Sequence, residues 1–192
     1  MKIFFVRHGE SAANIKGHIT GPLDTPLTPL GRQQVSALHS SYICQIPFDV
    51  VFSSPAKRAR DTAGILFPNQ PIIVADELLE VDAGEASEWT LAKVNQYCPE
   101  FWTRFDPDRS YPGGESYHDL YIRINKWLDQ CLVKYNTAVN IAVVAHGCPI
   151  GCVLHRVRKI PMAQFPCCPI HNAEVIELLA EDIKKAPAWI ER

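Results

Sequence analysis

The stretches Ile3-Phe4-Phe5-Val6-Arg7-His8-Gly9 and Ile141-Ala142-Val143-Val144-Ala145-His146-Gly147 decide how this chain is read. Each opens on a short continuous apolar run, without the alternation of a half-exposed strand, and so reads as a strand buried on both faces. Each then stops at a histidine followed directly by glycine. Asp49 to Phe52 is a third run of the same kind, leading into Ser53-Ser54 and on to Arg58. Helical segments come between. Thr28 is an N-cap with Pro29 at the first helical position, opening a helix through about Tyr42. A second helix is expected from Pro55 to Leu66, stopped by Pro68, and another from Pro149 to Arg156. The clearest helix runs from Glu115 to Lys134, where Leu120, Ile124, Trp127, Leu128 and Cys131 recur on one face. Glu174 to Leu179 alternates as a closing strand.

Strands alternating with helices imply an α/β sheet covered on both faces, and such sheets place their ligands at the carboxyl ends of their strands. Function is therefore expected just after Val6, Phe52 and Ala145. Between Leu78 and Pro112 the pattern turns irregular, rich in acidic and aromatic residues, and is read as a small lid. A chain of 21.5 kDa should bury about 70% of its extended surface. That suffices for one core, and no polar linker divides it, so residues 1–192 are read as a single domain.

Composition removes several classes of function. Nineteen basic against twenty-one acidic side chains leave a net charge of −2, with no basic run to neutralise a row of phosphates, so no nucleic-acid partner is expected. The apolar stretch Ile3 to Val6 ends at Arg7, too short for a signal peptide or membrane span. A cytoplasmic protein without a membrane partner is expected. Seven cysteines form an odd, scattered set, which implies free thiols rather than a disulfide framework. Cys148, Cys152, Cys167, Cys168 and His171 are metal-ligating types, but no paired Cys-x-x-Cys knuckle appears and no metal is expected.

The residues at the three strand ends suggest a chemistry. Guanidinium groups match the paired acceptor oxygens of a phosphate, so Arg7 and Arg58 suit a phosphate cradle. Positive charge nearby also disfavours protonation of an imidazole and keeps it nucleophilic. One of His8 and His146 could then attack phosphorus while the other donates to its oxygens. A leaving alkoxide needs a proton, and Glu80, Asp82, Glu85 and Glu88 in the irregular segment are all candidates. Spacing alone does not choose among them.

Arg7-His8-Gly9-Glu10 with Asn14, Gly21 and Leu27-Thr28-Pro29-Leu30-Gly31 resembles the opening signature of the histidine phosphatase superfamily, the phosphoglycerate-mutase-like proteins. The resemblance continues through Ser53-Ser54, Arg58-Ala59, Thr62-Ala63, Glu80 with Gly84, Pro112-Gly113-Gly114-Glu115-Ser116, His146-Gly147 and Asn172, nearly the whole chain. It implies a three-layer α/β/α sandwich with a mostly parallel central sheet and a small cap. It also implies that His8 is the nucleophile, that Glu80 is the proton donor, and that His146, Arg7, Arg58, Asn14 and Gly147 surround the phosphoryl group. Thr20 and Gly21 are expected to touch substrate. Neither cofactor nor metal is implied, the partner is a small phosphorylated metabolite, and a homodimer is open.

The chain departs from common family patterns at Ala13, at Glu85-Ala86-Ser87-Glu88-Trp89 and at Cys148-Pro149. Phosphatase chemistry on a phosphomonoester is the expected activity, in the short branch that includes α-ribazole phosphatase. A cofactor-dependent phosphoglycerate mutase is the alternative; such mutases are usually longer, and the brief tail after Leu179 favours hydrolysis. A regulatory member of the fold without turnover is disfavoured because no matched catalytic residue is replaced.

Overall fold

The computed structural model describes residues 1–21, 23–97, 105–137 and 139–186. Five strands form one sheet in the order β3-β2-β4-β1-β5: β1 (Lys2–Arg7), β2 (Val50–Ser53), β3 (Ile72–Val74), β4 (Asn140–Ala145) and β5 (Val175–Leu179). All neighbours are parallel except β5, which runs antiparallel to β1 and closes one edge. The three expected buried strands and the closing strand are present. β3 was not expected; Ile72-Ile73-Val74 is too short a run to stand out beside Pro71.

Alternating side chains of the central strands feed two cores. Ile3, Phe5, Ile141, Val143 and Phe52 face one cluster, and Phe4, Val6, Ala142, Val144 and Val51 face the other. The helices, in chain order, are α1 (Ala12–Lys16), α2 (Pro29–His39), α3 (Lys57–Leu66), α4 (Leu91–Tyr97), α5 (Tyr117–Lys134), α6 (Gly147–Arg158) and α7 (Ala180–Lys185). Val35 of α2 and Ala59, Ala63 and Leu66 of α3 join the second cluster. Leu120, Ile124 and Leu128 of α5 join the first with Ile150 and Val153 of α6. The result is the three-layer α/β/α sandwich, with an accessible surface of 9349 Å².

Local chemistry fixes the ends that matter. The Thr28 hydroxyl accepts from the Gly31 N–H at 2.9 Å, and Pro29 occupies the first turn of α2. This helix ends at His39, with a separate 3₁₀ turn at Tyr42–Gln45, short of the single helix to Tyr42. A Cβ on Gly31 would lie 2.0 Å from the Glu10 carbonyl oxygen, so the turn into α2 lies backbone to backbone against the loop after β1. At the other large helix, Ser116 and Asp119 form a reciprocal capping box that starts α5.

The segment from Leu78 to Pro112 is irregular where it is described. It contains a short turn at Gly84–Ala86 and helix α4, and it buries Leu78, Val81, Ala83, Ala86, Val94 and Tyr111. Cys98 and Trp102 lie outside the described residues. Among the described residues, no helix is long and apolar enough to cross a membrane.

Candidate active site

The sheet register brings the two histidines together. Arg7 of β1 pairs with Ala145 of β4, so the next residues, His8 and His146, leave the same edge side by side. Their ring centroids are 5.1 Å apart. β2 pairs with β4 through Ser53 and Val144, which carries Ser54 to the same edge, and α3 then presents Arg58. Arg58 is 1% exposed, His8 3% and His146 0%.

A hydrogen bond assigns the proton on the His8 ring. His8 Nδ1 lies 2.7 Å from the Gly9 carbonyl oxygen, which can only accept, so Nδ1 carries the proton. Its Nε2 keeps a lone pair, toward which Arg58 donates from Nε at 3.2 Å. Burial, and then the guanidinium charges of Arg58 and Arg7, hold His8 down to about 3 against an ordinary value of 6.5. The imidazole is therefore neutral at physiological pH. His146 is likewise held well below its ordinary range, by burial first and then Arg58. Its Nε2 is 2.7 Å from the Ser54 hydroxyl, and when that hydroxyl donates to Nε2 the ring hydrogen sits on Nδ1.

Two buried atoms in this group, His146 Nδ1 and Arg7 Nε, have no hydrogen-bond partner among the described residues. A buried polar atom left unpaired costs about 1–3 kcal/mol, and a bound ligand could supply the missing partners. Arg58 Nη2 donates to the Gly21 carbonyl at 3.2 Å and Nη1 to that of Leu23. Arg7 Nη1 donates to Ile170. Both guanidinium groups are thus fixed in orientation by backbone carbonyls, with charge left over for a ligand.

Gly147 opens α6, and a Cβ there would stand 3.8 Å from Arg7. Pro149 falls within the first turn of α6, where a missing N–H is harmless, so the Cys148-Pro149 departure fits a helix start. Asn14 stands behind the histidine. Its Oδ1 accepts from Asn172 Nδ2 at 3.2 Å, and the same amide donates to the His8 carbonyl at 3.0 Å. Gly21 turns with φ +51° and reaches the site through its carbonyl on Arg58. Thr20 places its hydroxyl 3.5 Å from the His18 carbonyl.

A cavity of about 290 Å³ is lined by Arg7 and Gly147, the chain neighbours of His8 and His146, though by neither of those two histidines. Of the four acids left open by spacing, Glu80 is the one that lines it, beside Arg7, Gly147 and Cys148. Its Oε1 accepts from the Val81 N–H at 3.0 Å, and Oε2 is 3.5 Å from the Cys148 N–H. Burial, then the Glu80 carboxylate, push the Cys148 thiol well above its ordinary range.

Sequence reasoning missed the parts that hold Glu80. Arg123 of α5 donates to Glu115 through Nε at 2.7 Å and Nη2 at 2.8 Å, a two-pronged pair. From there it also reaches the carbonyls of Glu77 and Leu79 at 2.6 and 3.2 Å. Glu115 Oε2 in turn accepts from the Asp82 N–H at 3.1 Å. Gly84 adopts φ +50°, and a Cβ there would meet the Pro112 carbonyl oxygen at 2.2 Å. The Pro112-Gly113-Gly114-Glu115 match thus serves to dock the Glu80 segment. Ser54 and Thr62 were matched but given no role; Thr62 accepts from the Gly9 N–H at 3.2 Å and donates to the Arg58 carbonyl at 2.7 Å.

A three-layer sandwich with paired histidines and arginines at its parallel strand ends defines a phosphoryl-transfer type of site. Residues 3–189 match the model of the histidine phosphatase superfamily, branch 1, and the chain belongs to that family. It is 33% identical over 176 residues to 6-phosphofructo-2-kinase/fructose-2,6-bisphosphatase of Gallus gallus, covering 88% of this chain but 36% of that one. The chain therefore spans about a third of that relative's length. It is also 33% identical over 162 residues to 2,3-bisphosphoglycerate-dependent phosphoglycerate mutase 2 of Gloeobacter violaceus, covering 79% and 73%. Among solved structures, the α-ribazole phosphatase of Shigella flexneri superposes with a TM-score of 0.82 at 25% identity, covering 92% and 89%.

Proposed function

We propose that this chain is a phosphatase that hydrolyses a small phosphomonoester through a phosphohistidine on His8. The observation that carries this reading is the neutral, Nδ1-protonated His8, whose Nε2 lone pair meets Arg58, with His146 Nδ1 and Arg7 Nε buried without a partner on the neighbouring side chains. In the first step that lone pair attacks phosphorus and the ester P–O bond breaks, its electron pair leaving with the alcohol oxygen. Glu80, protonated, supplies the alcohol's proton. Arg7, Arg58 and the Nδ1–H of His146 hold the equatorial oxygens, where charge accumulates. In the second step Glu80, now a carboxylate, takes a proton from water as its oxygen attacks phosphorus. The P–N bond breaks and His8 regains its lone pair. Asn14 and Gly147 shape the same pocket, and Thr20 and Gly21 border the substrate.

The segment from Leu78 to Pro112 serves as a small lid within one domain, and the cavity beside Glu80 receives the leaving alcohol. Its lining is mostly apolar, with Phe165, Pro166 and Ile170 opposite Glu80, and Arg7 as its cation. That chemistry favours the monophosphate of an alcohol with apolar surface, as in the α-ribazole phosphatase branch, over a substrate with a second phosphate. The mutase relative from Gloeobacter violaceus supports the other reading, in which phospho-His8 returns the group to a bound glycerate. The net charge of −2 suits an enzyme of small metabolites, and this reading places it in the cytoplasm.

Comparing kcat/KM across α-ribazole phosphate, sugar monophosphates, fructose 2,6-bisphosphate and 3-phosphoglycerate tests this. The expected result is phosphate release, best from an uncharged alcohol's monophosphate. Interconversion of 2- and 3-phosphoglycerate with negligible phosphate release would overturn it in favour of the mutase.

A further inference from the structure

The cysteines left without a role by the sequence are gathered differently from any grouping their spacing suggests. Cys148, half-buried, and Cys152, buried, lie beside Glu80, while Cys167 and Cys168 meet His155 of the last turn of α6. Cys167 Sγ lies 3.4 Å from His155 Nε2 and 3.6 Å from Cys168 Sγ, and all three donor atoms fall within 4.8 Å of one another. A tetrahedral zinc with ordinary bond lengths needs edges of about 3.6 Å between nitrogen and sulfur and about 3.8 Å between sulfurs. Two edges are therefore already near metal-binding size.

The surroundings fit a ligand set as well. His155 Nδ1 donates to the Ile160 carbonyl at 3.2 Å, which leaves Nε2 with its lone pair toward the cysteines. A backbone carbonyl on the far nitrogen is how metal-binding histidines are usually oriented. Arg158 Nη1 donates to Cys168 Sγ at 3.2 Å, which holds that sulfur in place. Cys167 is exposed, so an ion has access. His155 and Cys168 also line the cavity shared with Arg7 and Glu80.

We propose that His155, Cys167 and Cys168 form a site for one thiophilic divalent cation of the zinc class at the rim of this cavity, and that its occupancy slows turnover. Binding replaces the two S–H protons, which pass to solvent, and leaves His155 neutral. The fourth position is taken by water. Binding stands on the three donors alone, whereas the effect on turnover rests on the cavity receiving the leaving alcohol.

The test uses the reduced full chain titrated with zinc sulfate by calorimetry and with cobalt(II) by absorption. One equivalent should bind, with up to two protons released and a sulfur-to-cobalt charge-transfer band. Cys167→Ser should weaken binding about tenfold or more, and the Cys167→Ser/Cys168→Ser pair about a hundredfold. Zinc at one equivalent should slow wild-type hydrolysis of a bulky phosphomonoester at least fivefold, while Cys167→Ser keeps its metal-free rate and loses the inhibition. Absence of binding, a missing sulfur band, or equal affinity in the double variant would overturn the site. One equivalent bound with unchanged turnover would overturn the coupling while leaving phospho-His8 chemistry intact.

Discussion

The floor and the flank of the candidate site are built in opposite ways. The floor, with His8, His146, Ser54 and Arg58, hangs on the parallel register of β1, β4 and β2, so regular backbone pairing sets its geometry. The flank that carries Glu80 has no ladder. It is held by a positive-φ glycine pressed against another backbone segment and by the Arg123–Glu115 pair reaching the carbonyls of Glu77 and Leu79. The floor therefore rests on the sheet, whereas the flank depends on contacts between side chains and loops. The comparison predicts that changes in the floor impair phosphoryl binding, whereas changes in the flank impair departure of the alcohol.

The largest effect expected on the flank is from Glu80→Gln. Loss of the proton donor should lower kcat by about 10² to 10⁴ while the affinity for inorganic phosphate stays the same. Using a leaving group that needs no proton, such as p-nitrophenol, should recover much of that loss. Equal losses for good and poor leaving groups would break the assignment.

On the floor, Arg58→Lys removes the planar fork that meets His8, Gly21 and Leu23 together. It should cost about 10² to 10³ in kcat/KM, the magnitude of one lost oxyanion donor. Phosphate inhibition should weaken with it, unlike in Glu80→Gln.

Arg123→Gln separates positioning from chemistry, because Arg123 orients the Glu80 segment rather than touching the phosphoryl group. A drop of about 10- to 10²-fold in kcat is expected, with phosphate affinity kept. The dependence on leaving-group basicity should shift toward that of Glu80→Gln, a change that simple loss of stability would not produce.

Acid should destabilise the floor through its two buried histidines. An unfolded chain takes a proton on His8 near 6.5, whereas the folded protein resists to about 3. Stability is therefore unaffected by His8 above about pH 6.5 and falls as pH drops from there toward 3, with His146 acting in the same direction. Proton NMR should show both imidazoles unchanged between pH 5 and 9. A His8 transition near 6.5 would contradict the buried, arginine-flanked ring.

What the sequence made legible follows the same division. The apolar runs at β1, β2 and β4 announce themselves, and their abrupt ends at His8, Ser53-Ser54 and His146 mark the floor, because regular strands translate directly into position. Glu80 could be separated from Asp82, Glu85 and Glu88 by family resemblance alone. Its neighbours are fixed by contacts between residues distant in sequence, such as Arg123 with Glu77, which no local period encodes. β3 escaped notice because three residues are too few to show a pattern, and the Cys167–His155 contact because helix α6 and the following loop must fold before they meet.

Trapping the intermediate tests the central claim most directly. Wild-type protein mixed with a phosphomonoester is quenched in alkali within one turnover, digested and mapped by mass spectrometry, with the linkage fixed by phosphorus NMR. One phosphoryl group is expected on Nε2 of His8, formed and discharged at least as fast as turnover, with neither label nor hydrolysis in His8→Ala. Turnover without a phosphorylated His8, or undiminished hydrolysis by His8→Ala, would contradict it.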